Sequence, residues 1–441
     1  MYNRFLEQVL LPLGDKVLGS SFMSELKKLR KQDLLGEKAL ENLQKEKLKR
    51  LLDHAHKHSK FYAQLNIASE NDPIEMLKSF PILTKETLRK NIDEILTVPE
   101  EILIEQRSSG SSGLQTIVYF SKAEQSIQQA QQIRWWEWAG YRLGDPILQT
   151  GITPNRGVVK QIKDFLLRTY YLPAFSHTEA SATKALRWAA SKSNPVLAGY
   201  ASSLFVLATL TEEKDKSVSF KTAISWGDKL FEHYKEKIED IFDTKVFNTY
   251  ASSEGFMIAG QKDLEHMYIM SQHVYLEIID DDGNEVPDGT LGHVVVTNLN
   301  NYSMPMIRYR LGDLAVKLPR EKYPKKREYQ YPLLQMVIGR DTDLVKTRSG
   351  KYMVVHSFTG IFEHFPEIKQ YTVIQHNLNG IEIDYVPSEK FFPKALEEIE
   401  RKILHYLDEK SFSIDFKKVD SIPPTPSGKP QIIQSFLKEN R

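Results

Sequence analysis

Between Pro195 and Gly255 three short apolar runs, Val196-Leu197-Ala198, Thr222-Ala223-Ile224 and Val246-Phe247-Asn248, are separated by stretches of helical periodicity, Leu204 to Leu210 and Leu230 to Ile241. Consecutive apolar residues over so short a length suit strands buried on both faces, and the helical stretches suit crossover connections. The alternation therefore predicts parallel strands joined by helices. From Val274 to Val296 the texture changes to alternating strands around a turn at Asp281-Asp282-Gly283-Asn284, which predicts a hairpin or a barrel-like layer. After Ile338 a smaller α/β unit is expected, with a helix near Pro393 to Leu407 and the boundary at Gly339 to Asp343. The fold class is α/β: a large N-terminal domain over residues 1–338, opening with a helical segment over about 1–95, then a small C-terminal α/β domain over 339–441.

Upstream, Leu48, Leu51, Leu52 and Ala55 recur at helical spacing with lysines and Arg50 between them, as on an amphipathic helix. Thr84 before Lys85-Glu86-Thr87-Leu88 reads as an N-cap. Gln125 through Leu143 predicts a helix stopped by Gly144-Asp145-Pro146, with Trp135, Trp136 and Trp138 read as core before substrate pocket. The amphipathic start from Phe5 to Leu18 is expected to pack on the body; contact with a membrane is the alternative.

Composition narrows the function classes. A chain of 441 residues is too long for one ordinary core. Lys+Arg 59 against Asp+Glu 58 gives no global attraction to nucleic acid. Cys 0 excludes disulfides, thiolate nucleophiles and cysteine metal sites, and leaves the cytoplasm as the expected compartment. No apolar run approaches the roughly 20 residues that span a bilayer.

The chemistry lies in three segments. Ser108-Ser109-Gly110-Ser111-Ser112-Gly113 offers backbone donors and hydroxyls that can wrap phosphate oxygens, or it is a linker; apolar Ile117 to Phe120 follow at once, so the loop should turn into a strand. It is not a P-loop, because no Gly-Lys-Ser/Thr closes it. Phe247 to Gly255 runs a strand into a small-residue turn that presents Glu254, where a nucleotide would meet Tyr250 and where Glu254, with Ser253, could hold Mg²⁺; a solvated turn is the alternative. Asp313, after Arg308-Tyr309-Arg310-Leu311-Gly312, can accept both ribose hydroxyls or pair with Arg308 or Arg310.

Together these segments resemble the adenylate-forming ligases, in the branch of phenylacetate-coenzyme A ligase and related capsule-biosynthesis proteins. Ser108 to Gly113 is similar to that family's SSGTTG loop, Trp226-Gly227-Asp228 to its GGE segment, Tyr250 to Glu254 to YGxTE, Arg308 to Asp313 to RYRTGD, Gly339-Arg340 to the start of GRxDD, and Ser427-Gly428-Lys429 to the terminal SGK. Phe80-Pro81-Ile82-Leu83-Thr84-Lys85 and Gly289-Thr290-Leu291-Gly292 are also typical of that branch. The resemblance implies formation of an acyl-adenylate from ATP and a carboxylic acid, then acyl transfer to coenzyme A, or alternatively to a carrier-protein thiol or an amine. It implies phosphate contacts from the Ser108 to Gly113 loop, an adenine wall of Gly227, Asp228, Asn248 and Tyr250, a ribose site at Asp313 and Arg340, and a catalytic Lys429. The small domain would turn about a hinge at Asp341, Thr342 and Asp343, and a dimer is the expected assembly.

Departures from the pattern bear on the site. Ala251 and Trp226 replace glycines, and Thr342 stands where the family's first hinge acid would be, between Asp341 and Asp343. His266 and His273 are a remnant of a metal site carried by some relatives, or two surface histidines. Lys317, Arg320, Lys322, Lys325, Lys326 and Arg327 form a basic loop that either meets an anionic acceptor or is solvated and inert.

Overall fold

The computed structural model describes residues 2–67, 70–107, 116–151, 157–174, 179–212, 218–340, 344–349, 351–362, 364–407, 409, 411–423 and 432–437. The chain divides into a larger unit holding most of residues 1–336 and a smaller unit made chiefly of Val337–Arg441, to which Gly312–Ala315 also belong.

In the larger unit β1 (Ile104–Arg107) and β2 (Ile117–Phe120) form an antiparallel ribbon, with Arg107 opposite Ile117. The strands that follow are β3 (Ile147–Gly151), β4 (Thr169–Pro173), β5 (Val196–Tyr200), β6 (Thr222–Trp226) and β7 (Val246–Ala251), then β8 (Met257–Gly260), β9 (Met267–Ile269), β10 (Val274–Ile279), β11 (Gly292–Asn298), β12 (Tyr309–Lys317) and β13 (Leu333–Arg340). They make one eleven-stranded sheet in the order β10-β11-β12-β13-β9-β8-β7-β6-β5-β3-β4. The predicted parallel strands are there: β3 pairs with β4 and β5, β5 with β6, and β6 with β7, all parallel. Strand β7 pairs antiparallel with β8, so the layer expected as a hairpin or barrel continues the parallel sheet.

Period-two alternation explains the continuous apolar runs. Ile147, Val196, Ala198 and Ile224 point to a core shared with Trp135, Trp136 and Trp138. Their neighbours Leu148, Leu197 and Ala223 point to the opposite core, covered by the helices Glu179–Ala190, Ala201–Glu212 and Glu232–Phe242. Both faces are covered, so the residues of such a strand are mostly apolar or small.

The tryptophans lie on the helix Lys122–Trp138, whose start is a capping box: Glu124 N–H donates to Ser121 Oγ (3.3 Å), and Ser121 N–H donates to the Glu124 carboxylate (2.7 Å). The helix ends earlier than the Leu143 expected. Gly140 turns into the left-handed region (φ +95°), and Tyr141 N–H closes on Trp136 O at 3.1 Å. The apolar pattern ran on past the stop because Tyr141 and Leu143 are buried without being helical. All three indoles are core, packed against Met23, Leu26 and Leu29 of the helix Phe22–Gln32. Among the described residues no helix is long and apolar enough to cross a membrane.

A buried ion pair ties the N-terminal helices to the sheet. Arg308, itself at φ +51°, donates to Glu277 on β10 (Nη2 to Oε1 2.9 Å) and to Phe80 O (3.2 Å). Leu83 N–H and O then bond Arg308 O and Arg310 N on the β12 side (2.9 and 3.0 Å). The expected N-cap follows, with Thr84 Oγ1 accepting from Thr87 N–H at 3.1 Å.

In the smaller unit β14 (Leu344–Lys346) and β15 (Tyr352–Val354) form a hairpin ahead of the helix Val355–Phe362. A four-stranded sheet follows, with β16 (Ile368–Asn377), β17 (Gly380–Pro387), β18 (Ser413–Lys418) and β19 (Ile433–Ser435) in the order β18-β17-β16-β19. The helix Lys394–Leu407 buries Ala395, Ile399, Ile403 and Leu407, one face at four-residue spacing, against Val373, Ile381 and Ile383.

Removing one member of the Arg308–Glu277 pair leaves a charge without its counter-ion in the core. Arg308→Met should cost about 3–5 kcal/mol, read as a lowered midpoint in urea, and Arg308→Met with Glu277→Leu should recover most of it.

Candidate active site

The turn after β7 is set by backbone geometry. Ser252 N–H donates to Phe256 O (2.9 Å) and Gly255 N–H to Ser252 O (3.1 Å), with Gly255 in the left-handed region at φ +90°. A Cβ at Gly255 would stand 2.6 Å from Gln128 Nε2 and 2.7 Å from Phe120 Cζ, so only glycine lets β2 approach this closely.

The turn holds Glu254 in a buried position, 8 % exposed. Its carboxylate accepts from Tyr309 Oη (3.5 Å) and Ser253 Oγ (3.4 Å), and Phe256 stacks on Tyr309 with ring planes 4° apart. Among the described residues no lysine or arginine forms an ion pair with Glu254, although it is a carboxylate taken out of water. That fits a ligand for Mg²⁺, which binds through one or two carboxylates and takes its other contacts from phosphate and water. Among the described residues no group of three or more His, Asp or Glu could hold a metal ion on its own.

Gln106 on β1 donates to Ser253 O at 2.9 Å, and Gln128 donates to Gln106 Oε1 at 3.4 Å. The end of the ribbon that carries the Ser/Gly loop is thus pinned to the turn that presents Glu254. The loop does run into a strand, β2, as expected. Ser108, Ser109, Gly110, Ser111, Ser112 and Gly113 lie outside the described residues, as do Asp341, Thr342, Asp343 and Lys429.

The expected adenine wall lies at the carboxyl ends of β6 and β7, where open α/β sheets bind ligands. Gly227 is left-handed (φ +81°), and a Cβ there would meet Tyr200 Cε1 at 2.4 Å. Asp228 accepts from Ser202 N–H (3.2 Å) and from Ser202 Oγ. Ser202 is in the first turn of the helix Ala201–Glu212, so this carboxylate caps a helix start from another strand. Burial, then Asp228, pushes the Tyr200 phenol up to about 12. Asn248 is held by Gln261, which accepts from Asn248 N–H (2.7 Å) and donates its own N–H to Asn248 O (3.0 Å). Tyr250 is buried opposite Ala259 of β8.

In the smaller unit Arg340 Nε lies 3.2 Å from Asp313 Oδ1, the acid largely buried and the guanidinium half exposed. Of the alternatives for Asp313, Arg308 is committed to Glu277, and Arg310 meets the His293 ring at 3.0 Å. The Arg340 contact joins the two residues expected together at the ribose.

Two readings change. His273 is a core residue, not a surface one: it is 2 % exposed, and its Nδ1 accepts from Asn300 Nδ2 at 2.8 Å. The basic loop is in part neutralised from within the protein, with Lys317 on Glu285 (2.8 Å) and Arg320 on Glu37 and Glu41 (2.9 and 2.5 Å). The two acids that meet Arg320 come from the helix Glu37–His58. Gln106, Gln128 and Ser202 were not legible as positioning residues, since their partners are 147, 22 and 26 positions away. Tyr309 stood inside a quoted motif, yet its contact with Glu254 needed the fold.

The CapK C-terminal domain family matches residues 344–435. Over 435 residues the chain is 24 % identical to Protein CapK of Staphylococcus aureus, covering 95 % of this chain and 93 % of that one. It is 25 % identical to a phenylacetate-coenzyme A ligase of Pseudomonas putida, over 78 % of this chain and 81 % of the ligase. In fold it is similar to a 2-hydroxyisobutyryl-CoA ligase solved in the postadenylation state with 2-HIB-AMP, with TM-score 0.68, 19 % identity and coverage of 90 % and 89 % of the two chains. ATP-bound MatB from Rhodopseudomonas palustris aligns with TM-score 0.54 and 17 % identity, over 76 % of this chain and 68 % of that one.

His273 supports the wall behind Gly255 only while neutral. Burial, with Lys47 adding, lowers its pKa from 6.5 to about 3. Below 6.5 the unfolded chain takes up a proton that the native one refuses, so stability should fall as pH drops through that window, with a slope approaching ~1.4 kcal/mol per pH unit. In His273→Gln the difference between urea midpoints at about pH 7 and about pH 4.5 should shrink by that contribution.

Proposed function

The chain belongs to the adenylate-forming superfamily, in the branch of phenylacetate-coenzyme A ligase and CapK, and from that premise we propose that it is an ATP-dependent ligase that activates a small carboxylic acid and passes the acyl group to coenzyme A. In the first half-reaction a carboxylate oxygen of the acid attacks the α-phosphorus of ATP and pyrophosphate leaves. In the second the thiol sulfur attacks the acyl carbon, the thiol proton goes to solvent, and AMP leaves.

One observation carries the reading: the Gln106 bond to Ser253 O puts the ribbon bearing the Ser/Gly loop beside a buried carboxylate that lacks a described cationic partner. On this reading Ser108 to Gly113 wrap the phosphates through backbone N–H groups and hydroxyls. Glu254, with Ser253 adjoining, holds Mg²⁺, which supplies neutralising charge at the phosphate oxygens. Gly227, Asp228, Asn248 and Tyr250 bound the adenine. Asp228 does so with one oxygen already engaged by Ser202, which fixes its rotamer before any nucleotide arrives. Asp313 accepts the ribose hydroxyls while its pairing with Arg340 orients it. Lys429, four positions before β19, supplies positive charge to the acid and the α-phosphate. Residues 1–338 then form the AMP-binding domain and 339–441 the cap that turns about 341–343.

The relatives named as coenzyme A ligases support the thiol acceptor. The internal pairing of Lys317 and Arg320 removes much of the support for the basic loop as the acceptor's docking site. Pyrophosphate release, screened over carboxylic acids with and without coenzyme A, tests the whole reading: ATP consumption that no acid class stimulates would refute it.

Two substitutions divide the steps. Lys429→Ala should lower acid-dependent exchange of labelled pyrophosphate into ATP by about 10²- to 10³-fold and spare thioester formation from presynthesised acyl-adenylate. Asp313→Ala should weaken ATP binding by about 10- to 100-fold in a direct titration, since a charged hydrogen bond to the ribose is lost.

A further inference from the structure

The N-terminal segment leaves an apolar row uncovered. Tyr2–Phe5 and Leu11–Leu18 are α-helical, with a π-helical turn at Leu6–Leu10 between them. The inner side is well attached: Leu6 is fully buried, Asn3 Nδ2 donates to Asp145 Oδ1 (2.8 Å), and Glu7 pairs with Arg30. The outer side shows Phe5, Val9, Leu13 and Val17, which are 51, 41, 55 and 83 % exposed. Four-residue spacing overshoots an α-helical turn by about 40° a step, and the wider π turn takes part of that drift back, so these side chains share the outer side.

A second apolar edge lies beside the first. The helix Val158–Leu166 exposes Ile162 and, at 82 %, Phe165. Its end is fastened to the start of the chain, since Tyr2 Oη donates to Leu166 O at 2.6 Å and the Arg168 guanidinium lies 5.7 Å from the Tyr2 ring centre.

We propose that this two-helix face seats the protein on an anionic lipid bilayer surface, peripherally and without spanning it. Charge selects the occupant. Arg4 and Lys16 are exposed beside the first row, and Lys160 beside the second, where Asp164 is the one acid of the helix Val158–Leu166. The acids of the first segment turn inward: Glu7 goes to Arg30, while Asp15 accepts from Met23 N–H (2.7 Å) and Ser20 Oγ (2.5 Å). An apolar row rimmed by cations suits insertion among acyl chains below anionic headgroups. A second copy of the same face, brought up by a two-fold axis, would set cations against cations. The contact goes beyond the ligase chemistry, and it adds to the expected packing on the body, which Leu6, Asn3 and Glu7 make on the inner side.

Sedimentation of the full chain with phosphatidylglycerol vesicles, and separately with phosphatidylcholine vesicles, tests the proposal. The protein should pellet with the first and stay in the supernatant with the second. Val17→Glu with Phe165→Glu should lower the partition onto phosphatidylglycerol by about tenfold or more, and Lys16→Glu with Lys160→Glu should weaken it in a salt-dependent way. All four positions are solvent-exposed, and an unchanged thermal melt would confirm that the variants fold. Wild-type protein left in the supernatant with phosphatidylglycerol would overturn the proposal. Glutamate variants that pellet like wild type would also overturn it, as would a dimer in sedimentation velocity that the Val17 and Phe165 substitutions dissolve, because a second copy would then cover the face.

Discussion

Strand β7 is hydrogen-bonded on both edges, parallel to β6 and antiparallel to β8, and this double commitment organises the larger unit. A strand with both edges engaged and Val246, Thr249 and Tyr250 buried cannot slip by one residue without turning core side chains outward. The point where it stops, Ala251, is therefore fixed, and so is the start of the turn that carries Glu254. Strand β8 leaves that turn in the opposite direction, so the parallel half of the sheet ends at one mouth with the acid beside it.

Elsewhere in the larger unit several buried polar groups are held in closed sets. Glu124 caps its own helix and also accepts from Tyr302 and Ser303 N–H at 2.7 and 2.9 Å. Asp33 accepts from Trp138 Nε1 (2.9 Å) and Tyr331 Oη (2.7 Å), and burial raises its pKa against the pull of Arg134. Arg308 serves Glu277 and Phe80 together. Such groups are costly unless satisfied and directional once they are, so each fixes the distance between a helix and the sheet. Glu254 differs from them in having only two long hydroxyl contacts.

Much of the architecture was legible because burial imposes a pattern on sequence. Val196 to Ala198, Thr222 to Ile224 and Val246 to Asn248 became neighbouring parallel strands, and the helices between them appeared where the periodicity placed them. The helix at Lys122 was misjudged at its end, since Tyr141 and Leu143 are apolar for the core's sake while Gly140 has already turned the chain. His273 was misjudged because one histidine carries no sign of its own burial; Asn300, 27 residues on, supplies the partner that makes it a core residue.

Local chemistry, then, was in the sequence: a Ser/Gly loop that must reach a strand, a glycine after Glu254, a cap at Thr84 and an acid at Asp313 are each properties of a few adjacent residues. Only the tertiary structure decided which distant groups meet. Gln106 finds Ser253, Asp228 finds Ser202, Arg340 finds Asp313, and the row at Phe5 to Val17 is left facing outward. The physical reason is that hydrogen bonds and ion pairs act over a few ångströms, whereas periodicity and propensity act along the chain. No residue's type records which partner the folded sheet will bring to it.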